Sequence, residues 1–233
     1  MQFIDEILNW NNVSLYNFVL EGNYPFFWRD FFTEENVVNE IEKISDTINL
    51  TPKIVYPELR RVFRAFIPIE KIKIVILGQD PYHNGNAVGL CFSIPINAAI
   101  NPSLRNIYTE IENEGYDIIK NGDLSHWMAQ GCFMLNTALT VEQGNPGSHS
   151  KIWANFTRMV VHHLNSKDNI TWLLMGRNAI SMEKYIVNRS HTIFRTSHPS
   201  PFSAYNSSGE IPAFMGSGVF RKINDLRNEK IVW

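Results

Sequence analysis

Lys71-Ile72-Lys73-Ile74-Val75-Ile76-Leu77-Gly78-Gln79-Asp80-Pro81-Tyr82-His83 reads as a buried strand that runs straight into a polar turn. The run Ile74 to Leu77 is short, apolar and rich in β-branched residues, as expected of a strand covered on both faces. Gly78 and Pro81 then break the strand. Between and after them sit an amide, a carboxylate, a phenol and an imidazole. In an open parallel sheet, ligands bind outside the carboxyl ends of the strands. A turn this dense in reactive groups, at that place, is a candidate site.

Outward from this turn, the first 65 residues read as helical, with helical spacing of apolar residues over 34–48 and 57–66. Four strands are expected at 72–77, 132–141, 170–175 and 192–196. Helical patterns separate or follow them at 103–112, where Ser103 after Pro102 reads as a cap, and at 123–130, 152–165, 178–187 and 219–228. Strands alternating with helices predict an α/β fold. It is a single three-layer α/β/α domain over 1–233 with a central, mostly parallel four-stranded sheet. The strands' carboxyl ends then share one side. They carry Gln79 to His83, then Asn136 with Ser148 and His149 beyond it, then Gly176 and Arg177, then Ser197 to Pro201.

The chain has 233 residues, 44% hydrophobic, enough for a sizeable core. No run reaches the length of a membrane span. The start, Met1-Gln2-Phe3-Ile4-Asp5-Glu6, is acidic and lacks the basic opening of a signal peptide. Cys91 and Cys132 sit in apolar surroundings and read as reduced core thiols in a reducing compartment. No Cys/His spacing suits zinc. The net charge is −2, but it is unevenly spread. Residues 1–50 hold 2 basic and 9 acidic side chains, whereas residues 177–233 hold 8 and 4. A basic last quarter can offer a phosphate-binding face, and a solvated surface reads equally well from charge alone.

Asp80 and His198 are the obvious chemical pair. A carboxylate can activate water or stabilise a cationic transition state, and an imidazole can hydrogen-bond negative charge on a leaving group. Asn136 offers a donor and an acceptor together, which suits the edge of an amide-like ring. Phe92, in Gly89-Leu90-Cys91-Phe92-Ser93, offers a stacking face. Ser200 lies in a Pro-Ser-Pro turn rather than a nucleophile elbow, and no Walker-type loop occurs.

Gly78-Gln79-Asp80-Pro81-Tyr82-His83 resembles the water-activating loop of the family 1 uracil-DNA glycosylases, and His198-Pro199-Ser200-Pro201 resembles their minor-groove loop. Gly89 to Ser93, Leu135-Asn136 with Leu139-Thr140-Val141, and Ser148-His149 match in order and spacing. The similarity covers roughly residues 55 to 233, ending in a tryptophan as many members do; residues 1–55 are less family-like. The resemblance implies hydrolysis of the N-glycosidic bond between uracil and deoxyribose in DNA, without metal or cofactor. The base must leave the stack to be reached. Carried over by position, Asp80 orients the attacking water and stabilises the oxocarbenium-like sugar. His198 donates to uracil O2 as the base departs, Asn136 reads the uracil edge, and Tyr82 excludes the methyl of thymine. Phe92 stacks on the base, and Gln79 lends backbone contacts. DNA contacts are implied for Pro102, Ser103, Ser148, His149, Gly176, Arg177, Ser200 and Phe202.

Several positions depart from the family pattern. Phe202 stands where leucine usually follows the second proline, and an apolar wedge can be Phe as well as Leu. Gly176-Arg177 stands where Gly-Ser is usual, which trades a hydroxyl for a charge. The proline-rich loop is reduced to Asn101-Pro102-Ser103, and the stretch from Gln143 to Gly147 also differs. The expected partner is uracil-containing DNA, single- or double-stranded, bound by a monomer with no membrane association. A DNA-mimic protein inhibitor is a further expected partner. The expected setting is the cytoplasm of a bacterial or viral member, or a eukaryotic host's nucleus. Two other readings remain open at this point. One is a DNA-binding subunit that keeps the fold but mainly holds a replication partner, for which the acidic N-terminal part would serve. The other is a small-molecule nucleoside hydrolase, but the sequence lacks the carboxylate-rich calcium site expected of one, and that reading leaves Phe202 and the Ser-Pro turns unexplained.

Overall fold

Residues 10–233 are described by the structure, a computed structural model; the reading of Met1 to Glu6 and the start of the helical N-terminal part lie outside them. In chain order the elements are α1 (Leu15–Leu20), α2 (Arg29–Phe32), α3 (Glu35–Asn49), β1 (Val55–Tyr56), β2 (Ile74–Gly78), α4 (Pro102–Asn113) and α5 (Ser125–Ala129). There follow β3 (Cys132–Asn136), β4 (Val141–Glu142), α6 (Ser150–Leu164), β5 (Thr171–Met175), α7 (Arg177–Ile180), β6 (Thr192–Thr196) and α8 (Val219–Asp225).

Every residue of β2, β3 and β5 is buried, so these strands need cover on both faces, and helices supply it. They form the expected four-stranded sheet in the order β3-β2-β5-β6, with every pairing parallel. β6 is the half-exposed edge beside β5. The register pairs Gly78 with Asn136 and Met175 with Thr196. All four strands therefore deliver their following turns to one edge.

The acidic N-terminal helix is part of this core. Val37, Ile41, Ile44 and Ile48 recur at helical spacing and bury one face of α3, which packs on α1 and α6. Trp28, held by its indole N–H to the Ile67 carbonyl at 2.7 Å, stacks on Phe133 of β3 at 5.6 Å. Phe66 meets both rings edge-on. At the other end of the chain, Trp233 is buried edge-on against Trp127, 5.3 Å away.

Five expectations are corrected. The strand expected over 132–141 is two, β3 and β4, because the chain turns away at Thr137 and Ala138, whose backbone N–H groups bond Gly78 and Gln79 beyond the end of β2. β4 then pairs antiparallel with β1, in a stretch read as helical. The helix expected over 57–66 is a 3₁₀ turn, Leu59–Arg61, continued by further i→i+3 bonds from Arg64 to Arg61 and Phe66 to Phe63. Apolar residues three apart serve either winding, so the pattern does not distinguish them. The helix expected over 178–187 breaks after Ile180, where Ser181 turns its hydroxyl back onto the Asn178 carbonyl at 2.7 Å, and resumes as a 3₁₀ turn, Glu183–Tyr185. Finally, Ser103 does not cap α4: Asn101 is the N-cap residue, and Pro102 takes the first helical position, where its missing N–H costs nothing.

Phe66→Ala should cost about 3–5 kcal/mol, the range for emptying an aromatic site in a packed core. Urea unfolding followed by tryptophan fluorescence measures it.

Candidate active site

Gly78 ends β2 beside Asn136 because no larger residue fits. A Cβ there would lie 2.8 Å from Cys91 Cβ and would strike the Asn136 amide oxygen. Asn136 is buried, and its side-chain amide makes no hydrogen bond among the described residues. It is a donor–acceptor pair held at a strand end for something else to meet. Gln79 is pinned by its carbonyl, which accepts from Ala138 N–H at 2.9 Å and from the Thr137 hydroxyl at 2.8 Å.

Asp80 follows, partly buried, with Oδ2 accepting the Gly147 N–H at 2.5 Å. Burial pushes its pKa above the ordinary 3.8, while the Gly147 bond and nearby His83 pull it back. Tyr82 donates to the Phe92 carbonyl at 3.3 Å, and burial pushes its phenol up to about 12. Phe92 takes φ 62°, a left-handed conformation that costs a bulky side chain on the order of 1–3 kcal/mol. The Tyr82 bond and the bond from Cys91 N–H to the Met134 carbonyl help to hold it there. Its ring lies 5.9 Å from the His198 ring, tilted by 43°. The two walls of the site meet at this pair.

His198 lies on the turn after β6. Its Nδ1 accepts the Ser200 N–H at 3.1 Å. A ring nitrogen that accepts carries no proton, so this bond assigns the proton of the neutral ring to Nε2. Burial lowers the His198 pKa from the ordinary 6.5. Gly176, with φ 88°, lets the ring sit close, since a Cβ would fall 2.9 Å from His198 Cβ. A groove of about 760 Å³ runs along this wall, lined by Gln79, Gly176, Arg177, His198, Ser200 and Phe202 among others. Phe202 is 90% exposed and Arg177 is exposed.

The remaining expected residues fall elsewhere. Pro102 and Ser103 open α4, exposed and half-buried respectively. Ser148 accepts the Glu142 N–H at 2.9 Å, bracing the loop from inside. His149 is buried with Nδ1 2.7 Å from the Thr140 hydroxyl, which also takes the Trp153 indole N–H. A ring so enclosed meets no phosphate directly, so its place is in the support of the site.

Two supporting residues, Asn106 and Ser197, were not among the expected site residues. Asn106, a turn into α4, donates to the Pro199 carbonyl at 2.8 Å and so steadies the His198 turn. Ser197 donates to the Ser203 carbonyl at 2.8 Å and accepts from Phe214 N–H at 2.9 Å, knotting the base of the same loop. Among the described residues no group of three or more His, Cys, Asp or Glu side chains could hold a metal ion, and no helix is long and apolar enough to cross a membrane.

The turns beyond the strand ends thus carry a partly buried carboxylate, an imidazole whose Nδ1 accepts a backbone N–H, an aromatic ring against that imidazole and a buried amide. Residues 65–225 match the model of the uracil DNA glycosylase superfamily. A uracil-DNA glycosylase of Psychromonas ingrahamii is 39% identical over 220 residues, covering 88% of this chain and 99% of its own. The crystal structure of mimivirus uracil-DNA glycosylase superposes with a TM-score of 0.85 at 29% identity, covering 95% of this chain and 89% of that one. A variant of mimivirus UNG in complex with UGI superposes with a TM-score of 0.84, also at 29% identity, covering 94% of this chain and 90% of that one. The chain belongs to the uracil DNA glycosylase superfamily.

Gly78→Ala should displace Asn136 or Cys91, cutting uracil release at least tenfold and costing about 1–3 kcal/mol of stability, the usual range for overpacking. Excision kinetics and thermal melts on the same preparation read both effects.

Proposed function

We propose that this chain is a DNA-repair hydrolase that extrudes uracil from DNA and cleaves its N-glycosidic bond, with Asp80 and His198 carrying the chemistry. Water attacks C1′ of the deoxyribose and passes its proton to Asp80. The C1′–N1 bond breaks, its electron pair leaves with uracil, and an abasic site remains. Carboxylate Asp80 faces the cationic sugar. His198 Nε2–H donates to uracil O2 as negative charge builds there. A hydrogen bond to a charged acceptor contributes about 1.5–3 kcal/mol, one to two powers of ten in rate. The observation that carries the reading is the Ser200 N–H bond to His198 Nδ1, which orients a neutral ring with Nε2 free to donate.

Asn136 supplies the selectivity against cytosine, whose exocyclic donor stands where uracil presents an acceptor. A buried mismatch of this kind supports rejection by a factor on the order of 10⁴. Tyr82 excludes thymine by occupying the space of its methyl, and Phe92 gives the stacking face. Phe202 fills the gap left by the extruded nucleotide, and Arg177 with the Ser200 turn contacts phosphate. The substrate is single- or double-stranded DNA, engaged by a monomer. A DNA-mimic protein that presents carboxylates to the same groove would inhibit it. The reading as a subunit that mainly holds a replication partner is not favoured: the N-terminal helices are committed to the core, and the relatives are named as glycosylases.

Asp80→Asn should reduce excision by at least three orders of magnitude while leaving the melting temperature unchanged or higher, since it removes a desolvated charge. The wild-type rate should rise with pH through an Asp80 pKa above 3.8 and then stay level through neutrality, because His198 acts neutral and its pKa lies below 6.5. A rate that falls as pH rises through the lowered His198 pKa would instead demand imidazolium.

Asn136→Asp should relax discrimination toward cytosine, and Tyr82→Ala should admit thymine. Defined oligonucleotides carrying each base measure both, and an unchanged base preference in either variant contradicts its assignment.

A further inference from the structure

The loop between β4 and α6 touches Asp80 but does no chemistry, and its outer side is clamped. Glu142 accepts from the Thr51 hydroxyl at 2.8 Å, from Lys53 Nζ at 3.0 Å and from the Asn145 amide at 2.9 Å. These bonds hold its pKa down at about 2. Asn145 N–H bonds the Glu142 carbonyl at 3.1 Å, closing a tight turn. Two residues on, past Pro146, Gly147 N–H reaches Asp80. We propose that Glu142 is a positioning residue for uracil excision: its carboxylate ties residues 51–53 to Asn145 and thereby aims the Gly147 N–H at Asp80. The inference rests on the reading of Asp80 as the water-orienting carboxylate.

A hydrogen bond to the charged form of a carboxylate favours ionisation, and here it opposes the desolvation that raises the Asp80 pKa. The other titratable or charged groups on the elements around Asp80 are Tyr82 and His83 on its own turn, His149 and Glu142 with Lys53 on the loop side, and His198 on the turn after β6. Charge and hydrogen bond make opposite claims about Glu142. Deleting a nearby anion, with Lys53 left unpaired, would favour ionised Asp80 and move its titration down. Losing the Gly147 bond would move it up. The sign of the shift therefore separates positioning from simple electrostatics.

The test is single-turnover excision of uracil from an oligonucleotide across the acid limb, with Glu142→Ala, Glu142→Gln, Thr51→Val and Lys53→Met. The expected result for Glu142→Ala is an upward shift of the acid-limb midpoint by about one unit, the scale of one such bond. The rate below the wild-type midpoint then falls about tenfold, and raising the pH restores it. Gln keeps one carbonyl acceptor and should shift less. Thr51→Val and Lys53→Met loosen the clamp without touching the loop and should shift the limb the same way. A downward shift, an unmoved midpoint with a uniform loss at all pH values, or no change at all would overturn the inference. Asp80→Asn in parallel separates the two readings. An active Asp80→Asn enzyme overturns the assignment of Asp80, whereas an inactive one beside an unmoved Glu142→Ala limb overturns only the role of Glu142.

Discussion

The parallel pairing of β2 with β3 and β5 is the constraint on which the site depends. Because side chains alternate along a strand, a slip of one residue would turn Asn136 away from Gly78 and carry Asp80 out of line with the strands beside it. What forbids the slip is burial. No residue of these three strands faces water, so each has a single apolar arrangement against the helices. The aromatic cluster of Trp28, Phe66 and Phe133 adds to this by fastening the N-terminal third of the chain onto β3. Catalytic precision at the strand ends is thus set by packing well below them.

The same partly buried surroundings act on Asp80 and His198, and in opposite directions. Desolvation raises the pKa of Asp80 and lowers that of His198, in each case favouring the neutral form. In the mechanism proposed above this suits His198, since a neutral Nε2–H donor would serve an anionic leaving group. The same mechanism asks Asp80 to stay ionised, and the Gly147 N–H favours that form. Groups oriented before the reaction begins need no reorganisation when charge develops. The fold bears that arrangement as a cost, in a partly desolvated carboxylate and in the left-handed backbone at Phe92.

Much of this was legible in the chain itself. The buried run of β2, the alternation of strands with helices and the polar strand ends all followed from periodicity and turn chemistry, and β6 was read to the residue. Asp80 and His198 stand in turns just beyond β2 and β6, and Asn136 closes β3. What escaped was whatever depends on distant partners. Nothing in the neighbours of Asn106 announces a bond to Pro199, ninety-three positions away. Nothing around Phe92 signals a positive φ, since bulky residues avoid it. The resemblance implies a DNA contact for His149, yet its ring is buried against the Thr140 hydroxyl, which also takes the Trp153 indole N–H. The over-long helices failed for a local reason, because three-residue spacing of apolar side chains suits 3₁₀ and α winding alike.

The departures from the family pattern fall where chemistry is least exacting. Breaking a glycosidic bond requires particular atoms at particular distances, and the residues proposed for it, Asp80, Asn136 and His198, lie in buried or half-buried places. Gripping a duplex requires positive charge near phosphate and an apolar body near the gap, which several side chains provide. Phe202 illustrates the second demand. A phenylalanine left 90% exposed gives up the roughly 1.5–3 kcal/mol that burial would contribute to folding. Under the DNA grip proposed above, burial of the ring in a stack of bases would recover that free energy on binding. Replacing leucine by a larger flat ring keeps that reserve while changing the shape of the wedge, so the grip can vary while the buried chemistry does not.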